Sequence, residues 1–222
     1  MSVRAVSLLA AAVAFALAGS PRASTITSDP NLPALYPGAA YRYPASQPDF
    51  TGLGLRVTFD GVEDRASGPV NRVPSGPNEI ETYSSLWVGT VSVNLGSFAA
   101  MSASGSEEVL VFNKLGNATG TFNTELLAMN LSGSSSYGPF MVRESPTLAS
   151  TGQTTITGLG GGLYQIDSFF DIFTELSVDG GQTWIPSPGP SRITLESAPE
   201  PSAVGLLAAA MLSLVGLGSR RR

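Results

Sequence analysis

Apolar and polar residues alternate in short runs along most of this chain, and clusters of Gly, Pro, Ser and Asn separate the runs. Leu53, Leu55, Val57 and Phe59 alternate with Gly54, Arg56, Thr58 and Asp60, a period of two that sets four apolar side chains on one face of a strand. Val91, Val93 and Leu95 repeat the pattern, with Ser92 and Asn94 facing outward. Residues 109–113, 120–132 and 154–157 supply further strands. The longest run covers residues 163–178, where Tyr164, Ile166, Phe170, Ile172, Leu176 and Val178 share one face. Asp167, Asp171 and Glu175 share the other, and Phe169 and Phe173 interrupt it, so that face is expected to be partly covered.

Helical spacing is missing between residues 49 and 198, which predicts an all-β domain. Many short strands with turn signals about every ten residues point to two packed antiparallel sheets, a β-sandwich or jelly roll, in a single domain. No internal repeat is visible, which argues against a propeller. The proline-rich stretch within residues 19–48 reads as an extended lead-in outside the core.

The two ends follow different patterns. Arg4 precedes an uncharged run from Ala5 to Ala18, and Ala16-Leu17-Ala18 offers the small-x-small site of a signal peptidase. Residues 1–18 therefore read as a secretory signal peptide cleaved after Ala18. At the other end, Pro199-Glu200-Pro201 leads into a sixteen-residue stretch, Ala203 to Gly218, apolar except for Ser213, followed by Arg220, Arg221 and Arg222. As a helix that segment would span roughly 24 Å against a bilayer core of roughly 30 Å. Terminal arginines snorkelling into cytoplasmic headgroups would close the gap and leave the body on the far side.

Residues 199–222 resemble the PEP-CTERM sorting signal. The resemblance implies processing near Pro199-Glu200-Pro201 by an exosortase, a membrane-embedded transpeptidase of bacteria that make exopolysaccharide. It also implies transient residence in the inner membrane, loss of residues 203–222 and delivery to the cell surface or extracellular matrix. It carries no activity of its own, since very different domains bear this tail.

With both ends removed, one core's worth of chain remains. The full chain has 12 Lys and Arg against 17 Asp and Glu; losing Arg4, Arg220–Arg222 and Glu200 leaves eight against sixteen, a net charge of minus eight. Lys114 is the one lysine, and the arginines are scattered, so a nucleic acid partner is not expected. The chain contains no Cys and no His, which excludes disulfides, thiolate or imidazole metal ligands and Ser-His-Asp or Cys-His catalysis. Carboxylate pairs, Ser with a Lys or carboxylate partner, and hard cations on oxygen ligands survive that filter.

Few local motifs carry chemistry. Ser177-Val178-Asp179-Gly180-Gly181-Gln182-Thr183-Trp184 resembles an Asp-box, in which Asp179 accepts backbone N–H bonds across a turn, Gly181 takes a positive φ and Trp184 folds over the hairpin. In sialidase-like propellers such boxes repeat and lie away from the catalytic site, so a single copy implies a structural hairpin. Gly158 to Gly162 lacks a dinucleotide fingerprint, and no cofactor pattern stands out. Asp60, Glu63 and Asp64 around Gly61 could hold calcium, as could the row of Asp167, Asp171 and Glu175, but a solvated acidic surface explains both and no metal site is assigned. Glu107 and Glu108, adjacent in a strand, would face opposite ways and cannot by themselves form a catalytic pair. Sequons at Asn117 and Asn130 carry little meaning in the bacterial source that the tail's resemblance implies.

Two function classes fit. One is a non-catalytic surface or matrix protein associated with exopolysaccharide. The other is a small glycan-active hydrolase or carbohydrate-binding protein that uses carboxylates, with Trp87, Tyr83 and Tyr137 as candidate sugar-stacking residues. The absence of a convergent catalytic constellation favours the first, with no catalytic residue assigned.

Overall fold

The computed structural model describes residues 24–43 and 49–197. The cleavage residues Ala16 and Ala18, the sorting residues Pro199, Glu200, Pro201, Arg220, Arg221 and Arg222, and the apolar tail lie outside the described residues. Among the described residues there are thirteen β-strands and no helix, as the alternating pattern predicts. In chain order they are β1 (Thr25–Thr27), β2 (Ala39–Arg42), β3 (Asp49–Gly52), β4 (Leu55–Ser75), β5 (Asn78–Val93), β6 (Ala99–Val111), β7 (Gly120–Ser135), β8 (Gly138–Glu144), β9 (Ser150–Gly160), β10 (Leu163–Ile172), β11 (Thr174–Ser177), β12 (Ile185–Pro186) and β13 (Ser191–Ser197).

The pairing closes on itself. The circuit β4-β5-β6-β7-β9-β10-β13-β2 returns to β4, every step antiparallel. The result is a closed eight-stranded barrel rather than the expected pair of open sheets. Closure removes the open edges that a sandwich would expose. Residues 24–43, expected as a lead-in outside the core, supply β2, which closes this ring by joining β13 to β4. They also bury Leu32, Ala39, Ala40, Tyr41 and Tyr43.

The long strands β4 to β7 continue beyond the barrel. There β3 flanks the start of β4, while β8, β11 and β12 extend the sheet from the second half of β7. Gly52 of β3 packs on Ile185 of β12, where an added Cβ would lie 2.9 Å from Ile185 Cγ2. Aromatic contacts pack part of the extension: Phe59 meets Phe50 at 5.9 Å and Phe140 at 5.6 Å between ring centroids, both edge-on.

Bulges decide what points inward. In β4, Val57 and Phe59 face the core, and one extra residue between Asp60 and Glu63 then switches the inward set to Val62, Asp64 and Ala66. Gly61 occupies that bulge with φ of 60°, a conformation that suits glycine. A second register shift between β6 and β7 moves the inward set of β7 from Phe122, Thr124 and Leu126 to Met129 and Leu131. Gly105 in β6 meets a different limit, because a Cβ there would fall 1.8 Å from the carbonyl oxygen of Asn130 on β7.

The run at residues 163–178 is two strands rather than one. β10 belongs to the barrel, whereas β11 pairs with β8 in the extension. The switch falls at Phe173, whose N–H donates to Ser150 Oγ at 3.0 Å and whose carbonyl accepts from Ser145 N at 2.8 Å. Leu53 and Leu95, assigned by alternation to buried faces, sit instead at turns and are exposed.

Candidate functional site

The barrel interior carries a cluster of polar side chains within an otherwise apolar core. Odd-numbered residues of β5 point inward, which lines the lumen with Glu81, Tyr83, Ser85 and Trp87. The same parity in β6 brings in Glu107 beside Val109 and Val111, and the β4 bulge brings in Asp64. Tyr41, Thr124, Thr154 and Ser168 come from the other strands of the ring.

Asp64 and Glu107 lie within hydrogen-bonding reach of each other and are both 3 % exposed. Ser85 Oγ donates to Asp64 Oδ1, and Tyr83 OH donates to Glu107 Oε2 at 3.0 Å. No donor reaches Glu107 Oε1, and neither carboxyl has an ion-pair partner among the described residues. Two buried carboxyls within reach of each other and without a cation favour one proton shared between them. Burial accordingly pushes both pKa values up, and for Glu107 the charge on Asp64 adds to the effect.

The rest of the lumen is neutral or singly compensated. Tyr41 OH donates to Ser168 Oγ at 2.8 Å, and Ser168 shares a further 2.7 Å bond with Thr154 Oγ1. Tyr43 packs edge-on against Trp87 with centroids 5.5 Å apart. Glu81, 1 % exposed, is pushed up to about 8 by burial and by the neighbouring Glu79, against the pull of Arg72. Arg72 Nε lies 3.9 Å from Glu81 Oε1, and its Nε and Nη2 donate to the Leu32 carbonyl at 3.1 and 2.7 Å. Arg72 thereby ties Leu32 and Pro33 across the barrel end as a plug. The space left beneath them, bounded by Tyr41, Glu81, Tyr83 and Thr154, is about 10 Å³, no more than a single water would need.

Asp64, Glu81 and Glu107 are enclosed in the barrel and do not face solvent. The carboxyl groups are chemically suited to acid-base work, but a glycan chain needs an open cleft between two accessible carboxyls. Glu107 was set aside in the sequence because Glu108 faces the other way; its true partner is Asp64, 43 positions earlier in the numbering. Asp60, Glu63 and Asp64 form no acidic turn. They sit in β4, with Asp64 inside and Glu63 outside, ion-paired to Arg42 and Arg65 at 2.7 Å each. The acidic row of β10 and β11 is also partnered: Asp171 pairs with Arg192 at 2.6 Å, Glu175 with Arg143 at 2.7 Å, and Asp167 accepts from Gln165 at 3.2 Å. Among the described residues no group of three carboxylates is placed to hold a metal ion. Of the candidate stacking aromatics, Trp87 and Tyr83 are inside the barrel and Tyr137 is exposed, so they share no surface.

The Asp-box-like segment joins β11 to β12 as a hairpin, with Leu176 opposite Ile185. Asp179 Oδ1 accepts from the backbone N–H of Gln182 and Thr183 at 3.1 and 3.0 Å and from Ser177 Oγ at 2.7 Å; Oδ2 accepts from Thr183 Oγ1 at 2.5 Å. Those donors, led by the Thr183 hydroxyl, hold the Asp179 carboxyl down at about 2. Gly181 has φ of 87°, and Trp184 Nε1 donates to its carbonyl at 3.1 Å. Arg143 stacks on the Trp184 ring at 4.0 Å.

A second cavity opens in the extension, at the pole where β4 begins and β5 ends. It measures about 290 Å³ and is walled by Leu55, Val57, Phe59, Val91, Val93 and Phe140, with Ser135 and Tyr137 also among its lining residues. No charged side chain lines it. No protein-family model, no curated protein and no solved structure matches the chain.

Proposed function

We propose that this chain is an exported bacterial cell-surface or extracellular-matrix protein, associated with exopolysaccharide, whose barrel binds or builds rather than catalyses. The enclosure of Asp64, Glu81 and Glu107 carries this reading, because the carboxylates best suited to acid-base chemistry are walled off from any polymer. The terminal segments support the address: a signal peptide over residues 1–18 and the sorting tail over residues 199–222.

The direction of the last strand is consistent with display. β13 is antiparallel to β2, and β2 is antiparallel to β4, so β13 runs the same way as β4. The chain therefore leaves Ser197 heading away from the pole where β4 starts. A tail held in the inner membrane would present the pocket-bearing pole outward. Exposed Ser102, Ser104, Ser132 and Ser134 on β6 and β7 give an uncharged hydroxyl surface suited to a hydrated polysaccharide.

Replacing Pro199 and Pro201 with Ala, in a bacterium that has the sorting transpeptidase, tests the address. The variant is expected to accumulate as precursor in the inner membrane while the parent protein reaches the surface. Equal surface delivery of both would refute the assignment.

A further inference from the structure

Three turns meet at the pole that holds the 290 Å³ cavity. The β3–β4 turn carries Leu53, the β5–β6 turn carries Leu95 and Phe98, and the β7–β8 turn carries Tyr137. These side chains are 68 %, 76 %, 53 % and 46 % exposed. Tyr137 OH donates to the Ser97 carbonyl, which links two of the turns. An apolar cavity at the same pole as exposed apolar turn tips, with Tyr137 belonging to both, is a grouping of the kind that marks a binding surface.

Backbone conformation adds an independent observation. Leu53 and Leu95 have φ of 52° and 60°, the left-handed region in which glycine or asparagine is at ease and a leucine is strained. Neither leucine recovers that cost by burial, since both are in solvent. Strain of this kind kept at exposed positions around a cavity is characteristic of a functional site.

We propose that this pole binds the alkyl or acyl chain of an amphiphile, seated between Val57, Val91, Val93 and Phe140 with its polar head outside. The walls offer no charge, which excludes an ionic ligand inside, and an apolar cavity is a poor host for water. Its volume of about 290 Å³ holds roughly ten methylene-sized groups, taking each at about the ~30 Å³ share of a water molecule. A longer chain would continue across Leu53, Leu95 and Phe98. The occupant is a single amphiphile rather than a bilayer: turn residues 53–54, 94–98 and 136–137 contain no Lys or Arg to meet phosphate headgroups.

The test uses the full chain, renatured without detergent, and displacement of the neutral fluorophore N-phenyl-1-naphthylamine by 1-hexanol, 1-octanol and 1-decanol. Affinity should rise roughly tenfold for every two methylenes added. Val93→Trp, which fills the cavity from a half-buried position, should weaken 1-decanol at least tenfold. The pair L53N and L95G, on exposed residues that leave the core intact, should raise the melting temperature by relieving the turns and still weaken 1-decanol several-fold. A folded Val93→Trp protein with parental affinity would overturn the proposal. So would a stabilised L53N/L95G protein with unchanged affinity, or binding to phosphatidylcholine vesicles with no response to the alcohols.

Discussion

Glu107→Gln should stabilise this barrel at neutral and alkaline pH while changing little in acid. In the folded chain Glu107 and Asp64 share a proton in an interior without a cation, so the Glu107 carboxyl stays protonated well above its ordinary value of 4.5. The unfolded chain at pH 7 releases that proton, which means folding must take it up again. Stability from the pair is therefore fully present below about pH 4 and declines as pH rises toward the folded-state value. Holding one carboxyl protonated at pH 7 against an unfolded value near 4.5 costs on the order of 3 kcal/mol, at about 1.4 kcal/mol per pH unit. Gln removes the titration and keeps the contacts, since its carbonyl accepts from Tyr83 and its amide donates to Asp64. For a domain of this size each kcal/mol moves the midpoint by roughly 2–4 °C, so a rise of roughly 6–12 °C at pH 7 is expected, shrinking to nearly nothing at pH 4. Thermal melts of parent and variant followed by circular dichroism give the difference directly, and surface carboxylates common to both cancel. A Glu107→Gln protein destabilised equally at both pH values would refute the shared-proton account.

Further outcomes follow from the plug and the hairpin. Arg72→Met removes two hydrogen bonds to Leu32 and the cation nearest Glu81; urea titration at pH 8 should show a loss of about 1.5–3 kcal/mol, and limited proteolysis should newly cut within residues 28–38. The loss should be smaller at pH 5, where Glu81 is protonated in the fold and needs no cation. Asp179→Ala should speed amide hydrogen exchange at Gln182 and Thr183 while leaving exchange in β5 and β6 unchanged, and unaltered exchange at the turn would show that the carboxylate does not hold it. In the parent protein the same turn should loosen only as pH falls through about 2, because the folded-state value of Asp179 is depressed and its contribution is present above the unfolded value.

The sequence pattern exposed the strand content and much of the inward face, and the reasons it stopped there are specific. Alternation through Val57 and Phe59 and through Ile166, Phe170 and Ile172 identifies residues that are buried. It fails at Asp64 because one residue inserted at Gly61 inverts the parity of everything after it, and a glycine there reads as readily as a turn as a bulge. Glu107 was within reach: it shares parity with Val109 and Val111, and extending that strand by one pair of residues places it inside. Its partner was out of reach, since Asp64 on β4 and Glu107 on β6 flank β5 from either side, and only the bulge at Gly61 turns Asp64 to the same face. Closure itself depends on β2 meeting β13, segments more than 140 residues apart, where proline content disguised a strand of the core. Leu53 and Leu95 were misread because period two cannot tell the last residue of a strand from the first residue of a turn, and leucine is an unusual choice for a left-handed one.

The central claim is that this barrel is made for export and surface display, and the intact mass of the protein recovered from the cell surface tests it most directly. The account predicts a chain that begins at Gly19 and ends near Pro199-Glu200-Pro201, without the apolar segment or Arg220 to Arg222. Surface-extracted protein that still carries the arginine cluster, or full-length chain found in the cytoplasm alone, would contradict it.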